Sequence, residues 1–366
     1  MAYTIVHCAD VHLETTFTLG GARRRAALAD AFVRIVDHAI ALRADALTIG
    51  GDLFESERAG PQTARFLVAQ LGRFPGRVFI APGNHDPFAG TTLLGQWELP
   101  ANTHVFSDPM WQAVPLAEGV TLFGFGHSAA EPGRPFAAAR FDRDGIQIAI
   151  VHGSDEERCP PKKRATAPFT LDEIKASGIT CVLTGHYHAG YTLESNGAPL
   201  LAYPGSPEPM KFGEDGAHGA IVLRIDRGRL RLERFQTART RLLERICSLE
   251  GVGDDHALRA AIERALEGFT RDDYVRLKLT GAVQPGVRIE KASIIEDHAT
   301  TLGALQLEDT TVAHDYERVA QEPTVRGRVV RELLQARRSP DVRAAADAER
   351  ALHIALAAFD GLEVAP

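Results

Sequence analysis

Through the first 238 residues, short apolar runs alternate with amphipathic stretches, the pattern of an α/β layered domain. Tyr3–Ala9 reads as a buried strand ending at Asp10. A helix follows near Ala26–Leu42, with Leu28, Phe32, Ile35, Val36, Ala39 and Leu42 on one face at helical spacing. Ala46–Ile49 is a second buried strand, stopped by Gly50-Gly51. A helix starting near Pro61 precedes a third, Val78–Ile80. Val120–Phe125, Ile146–Val151, Thr180–Leu183 and Leu200–Tyr203 read as further buried strands. Ala220–Ile225 and Leu230–Phe235 form a hairpin turned by Asp226-Arg227-Gly228.

After Gln236 the texture changes. Leu242–Leu249 reads as a strand, and Asp254 or Asp255 caps a helix running through Leu266 and ended by Gly268. Tyr274–Thr280 alternates, with Val275, Leu277 and Leu279 on one face and Arg276, Lys278 and Thr280 on the other, which describes a half-exposed strand. A helix near Ile289–Ala299 and a strand near Ala304–Leu307 complete a small βαβαβ-like unit. Two helices follow Pro323. The first carries the stripe Val325, Val329, Val330, Leu333, Leu334; the second starts with Ser339 as cap and Pro340 at its first position, and closes at Gly361. The pattern divides the chain into residues 1–238, 239–318 and 319–366.

A length of 366 residues suits such a multidomain layout. The net charge of −7 argues against a protein that coats nucleic acid or anionic lipid through its overall field. It leaves room for a local basic groove or bound cations to attract a phosphate backbone. Cys8, Cys159, Cys181 and Cys247 are scattered without a CxxC pair, which suits a reducing compartment. Residues 1–20 have no basic segment leading into an apolar one, and no run of about 18 apolar residues could span a bilayer. The expectation is a cytoplasmic protein that does not engage a membrane.

Five short segments carry the chemistry, each just after a predicted strand: Asp10-Val-His12, Gly51-Asp52, Gly83-Asn84-His85-Asp86, Val151-His152-Gly153 and Gly185-His186-Tyr-His188. Loops leaving the carboxyl ends of strands in an open α/β sheet converge on one crevice, so these residues can meet. In extended backbone the i, i+2 pairs Asp10/His12 and His186/His188 would each face one way. The set mixes imidazole, carboxylate and one amide oxygen and contains no thiolate. Imidazole suits Mn, Fe, Ni or Zn, and the oxygen ligands shift preference towards Mn(II). Seven ligands exceed what one ion with an open position can use. They suit two ions about 3.5–4 Å apart sharing a carboxylate.

The ordered set D-x-H, GD, GNHD, HG and GH-x-H resembles the calcineurin-type metallophosphoesterase superfamily. That resemblance implies a two-sheet α/β sandwich with helices on both sides and a binuclear site at the strand ends, plus a small α+β capping domain and C-terminal helices. Carried over by motif, Asp10, His12 and His188 would hold one metal, Asn84, His152 and His186 the other, and Asp52 would bridge them. His85 would sit beside the phosphate, stabilising charge or protonating the leaving oxygen, with Asp86 available to orient it.

Gly51-Asp-Leu-Phe54 and the segment Tyr203–Glu214 resemble the DNA-repair exonuclease branch, with its SbcD- and YhaO-like nuclease subunits. The branch implies a Mn-dependent DNA exonuclease with some endonuclease activity on single strands. It further implies a capping domain that helps position DNA, C-terminal helices that dock an SMC-like (SbcC-type) ATPase, and a homodimer. Glu55 stands where some archaeal members carry histidine, and no catalytic role is assigned to it. Arg23-Arg24-Arg25 and Lys162-Lys163-Arg164 are the candidate DNA-facing clusters. The stripe starting at Val325 could pack on its own domain or on a partner. Two other readings remain open: a small-molecule phosphodiesterase or phosphatase on the same metals, and a catalytically silent DNA- or ATPase-binding subunit.

Overall fold

Strands that are apolar at every position must be covered on both faces, and that requirement organises the first part of the molecule. A computed structural model describes residues 2–361 except 57, 90–91, 129–132, 142–143, 160–164, 285–286 and 314–315. The candidate cluster Lys162-Lys163-Arg164 lies outside the described residues. The chain divides into two compact units, Met1–Arg241 and Leu242–Pro366.

The first unit begins with β1 (Tyr3–Cys8), α1 (Gly21–Ala41), β2 (Ala46–Ile49), α2 (Pro61–Arg73), β3 (Arg77–Ile80), α3 (Leu93–Gln96) and β4 (Thr103–Val105). It continues through β5 (Gln112–Ala117), β6 (Val120–Phe125), β7 (Ile146–His152), α4 (Leu171–Ser177) and β8 (Cys181–Gly185). The last strands are β9 (Tyr191–Ser195), β10 (Ala198–Tyr203), β11 (Gly219–Asp226) and β12 (Arg229–Gln236). Two six-stranded sheets result, ordered β12-β11-β1-β2-β3-β4 and β5-β6-β7-β8-β10-β9. Strands β1 to β4 are mutually parallel, as are β6, β7, β8 and β10. Antiparallel β11, β12, β5 and β9 complete the two sheets.

Alternation within each strand sends successive side chains to opposite layers. Ile5, Ala46 and Phe79 of the first sheet meet Leu122, Ile148 and Leu183 of the second in one cluster. On the other face of the first sheet, Val6, Leu47 and Val78 pack with Phe32 and Ile35 of α1 and Leu67 of α2. Beyond the second sheet, Phe123, Ala149 and Val182 pack with Ile174 of α4, Phe141 and Phe169. The architecture is therefore the expected α/β sandwich of two sheets flanked by helices. Each large side chain so buried contributes about 1.5–3 kcal/mol, and this fixes the relative position of the strand ends.

Three local departures have physical causes. Helix α1 starts at Gly21, after Gly20 at φ 83°, because its polar first turn carries no apolar period to read. Edge strands β4 and β9 are only partly buried, and β5 alternates between half-buried and exposed, so none gives a continuous apolar signal. Within the basic triplet, Arg24 is not a DNA-facing residue. It is buried, donates to the carbonyls of Pro209 (2.6 Å) and Met210 (3.1 Å), and lies over the Phe17 ring.

The second unit contains β13 (Arg241–Ser248), α5 (Asp255–Ala265), β14 (Asp273–Thr280), β15 (Ala282–Val283), α6 (Lys291–Asp297), β16 (Ala304–Asp309) and β17 (Val312–Ala313). Helices α7 (Tyr316–Ala320), α8 (Val325–Ala336) and α9 (Val342–Phe359) follow. A three-stranded sheet, β13-β14-β16, turns Val275, Leu277 and Leu279 onto Leu258 and Ile262 of α5 and Ile294 of α6. Tyr316, Val319, Val330, Leu352 and Leu356 form a separate cluster, with Leu333 and Leu334 packed against it. Much of the α8 stripe is thus used inside its own unit, while Val325 stays 72% exposed. Asp341, not Ser339, caps α9: its carboxylate accepts the Arg343 N–H at 2.9 Å, leaving Pro340 before the helix. Among the described residues no helix is long and apolar enough to cross a membrane.

Candidate metal centre

The parallel strands deliver their carboxyl ends to one edge. Asp10 follows β1, Asp52 follows β2, Asn84 follows β3, His152 ends β7, and His186 and His188 follow β8. The backbone there is not extended, contrary to the i, i+2 expectation. Asp10, His12, Asp52 and His186 take φ values of 54°, 48°, 52° and 107°. Left-handed backbone at four non-glycine residues concentrates strain at one place, which a rigid sandwich can sustain. Glycine is required where these turns touch: a Cβ on Gly83 would lie 2.2 Å from Asp52 Oδ1.

Hydrogen bonds decide which nitrogen of each imidazole points inward. His12 Nδ1 pairs with Glu55 Oε1 at 2.9 Å, His188 Nδ1 with Glu214 Oε1 at 2.8 Å, and His152 Nδ1 with Gly50 O at 2.8 Å. Each Nδ1 is thereby the donor, and in the neutral ring each Nε2 presents a lone pair to the cavity. His12 Nε2 and His188 Nε2 stand 3.2 Å apart. Two lone pairs held at that distance suit a cation placed between them and are otherwise unfavourable. Ligand atoms of Asp10, His12 and His188 lie within 4.8 Å of one another, and so do those of Asp10, Asp52 and His152. The donor set fits divalent cations.

Asp52 occupies the junction of the two groups. Its Oδ1 accepts the backbone N–H of His85 at 2.9 Å. Its Oδ2 lies 3.6 Å from His12 Nε2 and 3.2 Å from His152 Nε2. Asn84 Oδ1 is 3.2 Å from the same His152 nitrogen. His186 turns its ring towards His152, with centroids 5.2 Å apart, while its backbone N–H anchors Asp10 at 2.9 Å. Burial disfavours charge on Asp52, yet His152 and His12 beside it hold its carboxyl well below the usual range. Burial likewise opposes protonation of His152, but Asp52 and Asp10 push it up to about 9. His186, dominated by burial, drops to about 3.

Two assignments change. Asp86 does not orient His85. Its buried carboxylate accepts from the backbone N–H groups of Asp52 (3.0 Å), Gly83 (2.6 Å) and Leu53 (2.7 Å) and so shapes the loop beneath the site. Burial and the neighbouring Asp52 push its carboxyl up to about 6. Glu55 holds His85 instead, through Oε2 at 2.8 Å from His85 Nδ1, while its other oxygen holds His12. Glu55 and Glu214 are therefore residues of the candidate site that the sequence reading did not assign. Their only sequence signal is a carboxylate near a motif, and nothing local says which histidine it will meet. His127 is a core residue whose Nε2 meets the carbonyl of His152 at 2.8 Å.

These groups open into a cleft of about 850 Å³ lined by His12, Asp52, Glu55, His85, His186 and His188, with Arg158, Tyr187, Tyr191 and Lys211 around it. Residues 3–190 match the family model of the calcineurin-like phosphoesterases. The chain belongs to that family. This phosphoesterase is 28% identical over 265 residues to "Uncharacterized metallophosphoesterase YhaO" of Bacillus subtilis, covering 66% of the chain and 62% of the relative. It is 26% identical over 253 residues to "DNA double-strand break repair protein Mre11" of Methanopyrus kandleri, covering 62% of the chain and 55% of the relative. The phosphoesterase thus spans only about three fifths of the length of these curated relatives. Among solved structures, it resembles a dimetal phosphatase from Danio rerio with TM-score 0.39 and 12% identity, covering 63% of this chain and 95% of that one.

Proposed function

We propose that this phosphoesterase hydrolyses DNA phosphodiester bonds with Mn(II) as its working metal, as the nuclease subunit of a repair complex with an SMC-like ATPase. The observation that carries the two-metal part is the Asp52 Oδ2 atom, placed beside the inward nitrogens of both His12 and His152. Asp10, His12 and His188 would hold one cation and Asn84, His152 and His186 the other, with Asp52 shared. Bound there, the cations would supply Lewis-acid charge for a phosphoryl group and for water at neutral pH.

The protein's own part follows from the hydrogen bonds. The Glu55 carboxylate raises the pKa of His85, so the ring carries a proton it can deliver to the leaving oxygen. Arg158 and Lys211 on the cleft lining add positive charge suited to a phosphate backbone, and the Mre11 relative favours DNA as substrate. For the remaining assignments, we read residues 239–318 as the DNA-positioning cap and 319–366 as the ATPase-docking helices of a homodimer. The exposed Val325, Val342, Ile354 and Phe359 support an apolar partner surface.

End-labelled duplex and single-stranded DNA incubated with a series of divalent metals tests the proposal. Shortening should depend on Mn(II) and vanish in Asp52→Asn, whose metal content by elemental analysis should fall at both positions. Turnover of bis(p-nitrophenyl) phosphate without DNA shortening under any metal would overturn the nuclease reading and favour a small-molecule phosphodiesterase.

A further inference from the structure

Tyr187 and Tyr191 on one wall of the cleft, and the buried Tyr203 packed against them, are tied down by their hydroxyls. Tyr203 donates to Gly153 O at 2.7 Å, Tyr187 to Asp155 O at 2.8 Å, and Tyr191 to Asp155 Oδ2 at 3.1 Å. Tyr191 stacks on Tyr203 with centroids 4.7 Å apart and planes 24° apart. The Arg158 guanidinium then lies 4.2 Å over the Tyr191 ring. It also approaches the Asp155 carboxylate at 4.0 Å, and 52% of the side chain remains exposed. Tyr187 links this stack to the metal centre, its ring centroid 5.4 Å from that of His186 and 6.3 Å from that of Tyr191.

A surface arginine normally samples many rotamers. Here a ring beneath it and a carboxylate beside it hold the guanidinium in place, so little entropy is lost when something lies on its outer face. Nucleobases stack on aromatic rings and on guanidinium planes, with little dependence on sequence. Arg158, Tyr187 and Tyr191 line the same cleft as His85 and His186. We propose that Arg158, lying over the Tyr191 ring, is the platform for the nucleobase of a nucleotide whose phosphate lies at the metal centre. The proposal rests on reading the centre as a nucleic-acid phosphodiesterase and adds where the base goes.

Calorimetric titration of the Mn(II)-loaded full chain with 2′-deoxyadenosine 5′-monophosphate and with 2-deoxyribose 5-phosphate tests it. The nucleotide should bind roughly tenfold tighter than the sugar phosphate, a difference of about 1.4 kcal/mol. Arg158→Ala and Arg158→Lys should both lose that difference, because lysine keeps the charge but not the plane, whereas Tyr191→Phe should keep it. If Arg158→Ala does not fold, the lysine variant and the two ligands still decide. Equal affinity of the wild type for both ligands would overturn the platform. Full base-dependent affinity in Arg158→Lys would overturn it too, showing a charge contact in place of stacking. Should base-dependent binding require Arg158 while DNA is never cleaved, the platform stands and the nuclease reading falls.

Discussion

Replacing Glu55 by glutamine removes one charge and splits a two-handed grip. Its carboxylate takes the Nδ1–H of His12 at 2.9 Å on one oxygen and that of His85 at 2.8 Å on the other. An amide offers one acceptor and one donor, so only one ring can keep its bond without reversing its tautomer. A hydrogen bond to a charged group contributes about 1.5–3 kcal/mol. The His85 side chain is 42% exposed, so solvent screening trims that contribution. Glu55 is the leading cause of the raised His85 pKa, so the variant's value moves down. A proton donor works in its acid form, and the rate falls as pH rises through its pKa. In Glu55→Gln the basic limb of the kcat profile should therefore move to lower pH. A neutral amide also anchors His12 less firmly than the carboxylate, so metal binding should weaken by roughly 10–100-fold. The assay is kcat against pH on a phosphodiester at saturating metal, followed by a metal titration at one pH. A basic limb that stays where it is in the wild type, with the metal saturated, would refute the assignment of Glu55 as the residue that keeps His85 protonated.

Two further substitutions separate roles that sit side by side. His85→Ala should retain both cations by elemental analysis while kcat falls roughly 10²–10⁴-fold, and loss of metal would show that the ring is a ligand instead. Asp86→Asn turns an N–H₂ towards one of the three backbone N–H groups that the carboxylate satisfies, at a cost of about 1–3 kcal/mol. Its melting temperature should drop by a few degrees with the kcat pH profile unmoved. A shifted profile at unchanged melting temperature would restore Asp86 as the partner of His85.

The buried strands were legible because β1, β2, β3, β7 and β8 are apolar on both faces, and uniform burial leaves its mark residue by residue. The seven candidate ligands were legible for a related reason. Each follows or ends such a strand, and a sandwich of parallel strands brings those ends to one edge. Sequence also carried the chemistry of the donors, since imidazole and carboxylate without thiolate restrict what they can hold.

Tertiary structure alone decided which carboxylate meets which histidine. Glu55 lies 43 positions from His12 and Glu214 lies 26 from His188, and both pairings depend on how separate loops fold back over the strand ends. Nothing in the local period around either glutamate encodes that approach. Arg24 reads as part of a candidate DNA-facing cluster until the loop at Pro209 and Met210 covers it with two carbonyls. The left-handed turns at Asp10, His12 and Asp52 were hidden because only the packed sandwich makes such backbone tolerable in non-glycine residues. Periodicity and side-chain chemistry are properties of neighbours along the chain, whereas the angle and distance at which two side chains meet are set by sheets whose strands are far apart in sequence.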